Sequence, residues 1–102
     1  MSMLHTVNKS PFERNTLEAC LNHALPSSAI LLIEDGVLGA LQGTLHTARI
    51  EAALAQHAFY VLGPDLLARG MKVEQVIPGV TVVDYGGFVD LTTEHDKVQA
   101  WV

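Results

Sequence analysis

Apolar positions fall in short blocks along this chain, and the blocks are separated by stretches with a different period. Ala29–Ile33 is an unbroken apolar run, as expected of a strand covered on both faces. Leu4–Val7, Phe59–Leu62 and Val80–Val83 are shorter runs rich in β-branched, aromatic and aliphatic residues, and they predict three more strands. Gln99–Val102 predicts a last short one. Helical signals lie between them. Ser10-Pro11-Phe12-Glu13 reads as a capping box, with Ser10 at N-cap, Pro11 at the first helical position and Glu13 reaching back. The helix it predicts runs to about Leu25, where Pro26 stops it. Thr47 is placed to cap a second helix, in which Ile50, Ala53, Leu54 and His57 recur at helical spacing. Asp65–Arg69 predicts a short helix with Gly70 as its stop. Gly86-Gly87 leads into a helical stretch through about His95, and Gly36–Gly43 reads as a glycine-punctuated connection.

Strands and helices therefore alternate, and each crossover is long enough to join parallel neighbours. The pattern predicts an α/β fold over residues 1–102: a single three-layer α/β/α domain with a mostly parallel sheet of four or five strands. No repeat, low-complexity segment or linker interrupts it.

Composition adds a constraint that the pattern lacks. Of the 102 residues, 49% are hydrophobic and only 17% are charged, against about 25% charged in an average globular domain. A chain of this size buries only about two thirds of its unfolded surface. Disorder is excluded, and a subunit with a large apolar interface is favoured over a lone monomer. The net charge of −5 argues against nucleic acid as a direct ligand, because phosphate binding needs clustered Lys and Arg. No apolar run approaches the roughly 20 residues of a membrane span. The first five residues show no basic region leading into a long apolar stretch. A cytoplasmic location is therefore expected.

Candidate chemistry centres on Cys20, the one cysteine. It excludes an internal disulfide and any Cys-x-x-Cys pair. On a helical wheel Leu17, Leu21 and Ala24 form the centre of the apolar stripe, with Cys20 on its shoulder. A free cysteine there is ordinarily a small packed group. The functional alternative is a thiolate helped by His23, one turn on. A mid-helix position gives such a thiolate little help from the helix N-terminus. Glu34 and Asp35 follow one apolar strand and Asp84 follows another, where open α/β sheets bind ligands. Acids there could hold a metal or accept a phosphoryl group, but polar residues also simply end buried strands. The five histidines offer no i, i+4 metal pair. The glycines match neither G-x-G-x-x-G nor the P-loop. No cofactor and no metal is expected. Trp101, beside Val102, either docks on its own sheet or anchors an interface.

The segments Met3-Leu4-His5-Thr6-Val7-Asn8-Lys9-Ser10-Pro11-Phe12, Leu31-Leu32-Ile33-Glu34-Asp35-Gly36-Val37 and Tyr60-Val61-Leu62-Gly63-Pro64-Asp65-Leu66 resemble the DsrH/TusB family. So do Ala68-Arg69-Gly70, Val83-Asp84-Tyr85 with Phe88-Val89-Asp90-Leu91-Thr92, and Gln99-Ala100-Trp101. The resemblance runs in register along essentially the whole chain. It implies a small α/β/α fold with a parallel five-stranded sheet. It also implies one of three homologous subunits in a heterohexamer with two copies of each. The sister subunits would be DsrE-like and DsrF-like, or TusD-like and TusC-like. Such complexes relay sulfur as a persulfide to a DsrC-like or TusE-like acceptor protein. The principal cysteine is then expected on the DsrE/TusD partner. A cysteine within Thr16-Leu17-Glu18-Ala19-Cys20 looks like the second candidate active cysteine of DsrH, which typical TusB subunits lack. The resemblance thus implies a DsrH-type subunit serving oxidation of stored sulfur, with Cys20 as candidate persulfide carrier. The alternatives are a TusB-type subunit of the relay for tRNA wobble 2-thiouridine, and a purely structural subunit.

Overall fold

Each apolar run becomes a strand, and all five strands pair in parallel. The computed structural model describes residues 2–102. The strands are β1 (Met3–Val7), β2 (Ala29–Leu32), β3 (Ala58–Leu62), β4 (Val80–Val83) and β5 (Lys97–Trp101). The helices are α1 (Thr16–His23), α2 (Thr47–Ala53), α3 (Gly63–Ala68) and α4 (Tyr85–Glu94), and Glu34–Ala40 forms a 3-10 helix. A second, three-residue 3-10 turn spans Val73–Gln75. The sheet order is β4-β3-β2-β1-β5.

That order explains why the two faces of the sheet are covered unequally. The chain steps in one direction from β1 to β4, so right-handed crossovers place their helices on one face. The connection to β5 returns past β1, so α4 falls on the other face. Leu17 and Cys20 of α1, Ile50 of α2 and Leu66 of α3 pack with Val7, Ile30, Leu32, Phe59 and Val61 in the main core. The opposite face holds a smaller cluster of Leu4, Ala29, Leu31 and Leu91, with Phe88 and Tyr60 against it. Leu91 and Phe88 are its helical contribution, so α4 covers that face. Ala29–Leu32 is buried at every position, which accounts for its unbroken apolar run.

Some of the exposed apolar residues lie on the face with a single covering helix. Tyr85 and Val89 of α4 and Val98 of the edge strand β5 are exposed at 60%, 59% and 49%. On β5, Lys97, Val98, Gln99 and Ala100 are all exposed.

Several boundaries differ from the sequence pattern. The capping box does not start a helix. Ser10 Oγ accepts from the amide of Phe12 at 3.2 Å, and the amides of Glu13 and Arg14 reach the Ser10 carbonyl. The result is a turn that seats Pro11 against Gly39, and α1 begins only at Thr16. Thr47 is the first helical residue rather than the cap. Its hydroxyl accepts from the amide of Thr44 and donates to the carbonyl of Leu41. His57 lies beyond α2, which ends at Ala53. Its burial reflects a hydrogen bond to the segment before β2, not a place on the helix stripe. The last strand starts at Lys97, two residues earlier than expected.

Gly36 shows the tightest approach in the chain. A Cβ at this position would lie 2.2 Å from the carbonyl oxygen of Val7. The 3-10 helix can therefore cross the end of β1 only where no side chain stands.

Candidate functional site

Cys20 sits at the centre of the buried face of α1. Its exposure is 0%, as is that of Val7, Ile30 and Leu32 in the same cluster. The centre of the helix stripe is thus Leu17 and Cys20, while Leu21 and Ala24 are only half-buried. The helix begins five residues later than the capping box implied, and it presents its Leu17–Cys20 edge to the sheet.

Burial pushes the Cys20 thiol up from its ordinary value near 9 to about 12. Desolvation penalises the thiolate, and no cation offsets it. A nucleophilic thiol needs the opposite arrangement. The linkage has a definite sign. The folded chain holds this proton more tightly than the unfolded chain, so the contribution is complete below about pH 9. It declines as pH rises toward 12, at about 1.4 kcal/mol per pH unit. Urea denaturation across that window is expected to show the decline, and the Cys20→Ala variant is expected to lack it.

In the structure His23 is hydrogen-bonded to the helix backbone rather than to the thiol. Its Nδ1–H donates to the Ala19 carbonyl at 2.8 Å, and its ring lies 5.9 Å from that of Trp101. Among the described residues no hydrogen bond joins His23 to Cys20. The side chain is exposed, on the flank of α1 that faces β5.

What His23 joins is a small aromatic group. Trp101 docks on its own sheet, between His23 and His5. The indole Nε1–H donates to His5 Nδ1 at 3.0 Å. An indole N–H only donates, so Nδ1 must accept and the imidazole proton lies on Nε2. His5 is 4% exposed, and Nε2 is buried without a partner. An unpaired buried donor costs about 1–3 kcal/mol. Burial first, and the nearby His57 second, lower the pKa of His5, so the ring is held neutral. This histidine therefore stabilises the fold above its ordinary pKa of 6.5, and stability is lost as pH falls below that value. Emission from Trp101, the one tryptophan, is expected to change over the same acid window as the hydrogen bond to His5 breaks.

His57 is held beside this group. Its Nδ1–H donates to the Ser28 carbonyl at 3.1 Å, and the Ser28 hydroxyl donates to the Leu25 carbonyl at 2.7 Å. The segment Leu25–Ser28 is thereby fixed under β1, with Ser27 at φ 74°. It forms one wall of a cleft of about 610 Å³ that also involves Met3, His5 and His23. Neither the pairing of His5 with Trp101 nor this cleft was visible in residue spacing. The two residues are 96 positions apart, and only the pairing of β1 with β5 joins them.

Of the acids after the strands, Asp84 and Asp35 have structural partners for their carboxylates. Asp84 caps α4, its carboxylate accepting from the amide of Gly87 at 2.8 Å. Asp35 pairs with Arg69 at 2.9 Å. Asp65 accepts from the amide of Glu34, which stands at φ 50°. Among the described residues no group of three or more His, Cys, Asp or Glu is placed to hold a metal. No helix among them is long and apolar enough to cross a membrane.

The comparisons with known proteins agree along the length of the chain. The family described as DsrH like protein matches residues 9–98. The Protein TusB of Pectobacterium parmentieri is 42% identical over 100 residues, covering 97% of this chain and 100% of that one. The Protein TusB of Yersinia pestis is 38% identical with the same coverage. Among solved structures, the ychN protein from E. coli superposes with a TM-score of 0.85 at 18% identity, covering 99% of both chains. A protein of unknown function from Methanobacterium thermoautotrophicum, MTH1491, superposes with a TM-score of 0.72 at 16% identity, covering 96% and 97%. These two similarities establish a shared parallel α/β fold. The sequence matches go further, and the chain belongs to the DsrH-like family that includes the proteins named TusB.

Proposed function

We propose that this chain is a TusB-type subunit of a sulfur relay that serves thiolation of the tRNA wobble uridine. In this reading it supplies structure to the complex, and the sulfur-carrying cysteine belongs to a partner. One observation carries the structural role. The one thiol of the chain is wholly buried and its pKa is raised to about 12. Thiol–disulfide exchange proceeds through the thiolate, and this thiol has neither the charge nor the access to attack a partner's persulfide. The TusB names of the relatives favour the tRNA pathway over the oxidation of stored sulfur.

The uncovered apolar residues on α4 and β5 support a role within an assembly. Tyr85, Val89 and Val98 lie where only one helix covers the sheet. Sister subunits of the DsrE/TusD and DsrF/TusC kind are the proposed cover, and a DsrC/TusE-like protein is the proposed sulfur acceptor. The chain expressed alone is expected to self-associate. Co-expression with the sister subunits is expected to yield one defined mixed complex by native mass measurement.

A second reading rests on Cys20 itself. A cysteine in the first helix resembles the DsrH pattern, so a DsrH-type subunit is the alternative. Disruption of the gene separates the two. Loss of 2-thiouridine from tRNA supports the TusB reading. Intact thiolation with loss of stored-sulfur oxidation supports the other.

A further inference from the structure

Strand β5 is fastened differently at its two ends. At its start the Lys97 amide donates to the Ser2 carbonyl at 3.3 Å. Beside that bond the Asp96 carboxylate accepts from the Ser2 amide at 2.9 Å, and the Ser2 hydroxyl accepts from the Asp96 amide at 3.2 Å. At its finish the Asn8 amide donates to the Trp101 carbonyl at 3.4 Å. Lys97, Val98, Gln99 and Ala100 are all exposed, and Trp101 is the one residue of the strand that is not. Its indole packs on the main core. The strand pairs with β1 alone. One side chain therefore anchors it, and the N–H of that side chain is given to His5 Nδ1. This acceptor exists only while the imidazole is neutral, because an imidazolium carries a proton on both nitrogens.

We propose that β5 is an acid-released strap: protonation of His5 breaks the indole latch and frees the Trp101 end from β1, while the Lys97 end stays tied to Ser2. Protonation sets Nδ1–H against the indole N–H, donor against donor, and leaves a buried cation whose Nε2–H has no partner either. Such a charge must reach water. Of the elements around it, β2 lies inside the sheet and His57 is tied to the Ser28 carbonyl, whereas β5 is an edge strand. His57 disfavours a charge on His5. His23 of α1 faces the indole ring, with its own Nδ1 bonded to Ala19. Cys20 of the same helix keeps its proton throughout the acid range. Lys97 shares the Trp101 face of β5 but is exposed, and Asp96 is engaged with Ser2. Burial first, and His57 second, favour the neutral ring, so the strap is closed at neutral pH and opens below the ordinary imidazole value of 6.5. Opening uncovers the outer edge of β1 at Val7, the register partner of Trp101. The device is independent of the sulfur-relay reading, because it uses neither the Cys20 thiol nor a partner subunit.

Amide hydrogen exchange on the full chain tests this, resolved to single residues by fragmentation mass spectrometry and corrected for the intrinsic effect of pH. The Asn8 amide reports the Trp101 end of the strap, the Lys97 amide reports the Ser2 end, and the Ile33 amide, bonded to the Val7 carbonyl, reports the sheet interior. Exchange of the His5 Cε1 hydrogen reports the charge of its ring. Protection is compared at about pH 7.5 and about pH 4.5, a span that covers the titration of an imidazole. Asn8 is expected to lose about tenfold or more in protection, the worth of one lost hydrogen bond. Lys97 and Ile33 are expected to change by less than about twofold. His23→Gln, at an exposed ring, is expected to keep the response. His5→Gln, whose side-chain oxygen does not titrate in this span, and Trp101→Phe, which lacks the donor, are each expected to lose it. An unchanged Asn8 amide, an equal loss at all of these amides, or a His5 ring that stays neutral throughout would each overturn the proposal. So would a response that survives in His5→Gln or Trp101→Phe, or one that disappears in His23→Gln.

Discussion

Gly36→Ala is expected to destabilise the protein by about 3 kcal/mol or more, beyond the usual cost of one added methyl group in a packed site. The new Cβ would meet the carbonyl oxygen of Val7 at 2.2 Å and the Val7 carbonyl carbon at 3.0 Å. Both atoms belong to the backbone of β1 and have no rotamer to relieve the clash. The Val7 carbonyl also accepts the amide of Ile33 at 3.0 Å. A displacement that admits the methyl group therefore pulls on the pairing of β1 with the end of β2. The 3-10 helix that begins at Glu34 would have to lift off the sheet, and Val37 and Ala40, both fully buried, would move with it. The urea midpoint measures the effect. A loss below about 1 kcal/mol would show that the crossing relaxes easily. A more distant glycine gives the contrast: a Cβ on Gly70 meets nothing, although φ of 76° still strains any other residue there.

Trp101→Ala is the second large effect, with an expected loss of about 2–3 kcal/mol for a half-buried tryptophan. The indole packs between the rings of His5 and His23, and its N–H is the partner of His5 Nδ1. Removal takes away apolar contact and leaves a buried imidazole with neither nitrogen satisfied. Strand β5 is an edge strand held to the sheet only by β1, so the loss falls on an element with few other supports. Trp101→Phe restores part of the packing without the donor and is expected to lie between wild type and alanine, about 1 kcal/mol below wild type. Circular dichroism in urea follows all three proteins. Near-wild-type stability in the alanine variant would mean that Trp101 contributes little to the isolated fold.

The fold was largely legible because its strands are short, apolar and separated by strong turn residues. Ala29–Leu32 announced a doubly covered strand through its unbroken apolar run. Val80–Val83 followed Pro78-Gly79 as expected. Helix boundaries were less legible. Ser10, Pro11 and Glu13 have the residue types of a capping box, yet the turn they form is set by the packing of Pro11 on Gly39, a contact between distant segments. His57 fitted a helical stripe by spacing, but a hydrogen bond to Ser28 holds it in the connection.

The candidate site divides along the same line. The sequence identified Cys20 as the one thiol and put it on the shoulder of its helix. The structure places it fully inside, beside Leu17, and desolvation raises the pKa of its thiol. His23 was near Cys20 in sequence but faces Trp101. The group of His5, Trp101 and His23 depends on β5 returning beside β1, which no local pattern encodes. The apolar surplus is spread over the surface, with Leu45 and Leu25 exposed as well as Tyr85 and Val89 of α4.

Sulfur loading of the assembled complex tests the structural role of this chain most directly. The complex with its sister subunits is incubated with a sulfane-sulfur donor, and each cysteine-containing peptide is weighed, in wild type and in Cys20→Ala. The expected result is a one-sulfur increment on a partner's cysteine, none on the Cys20 peptide, and transfer to the acceptor protein at an unchanged rate in the variant. A persulfide on Cys20, or loss of transfer in Cys20→Ala with assembly intact, would contradict it.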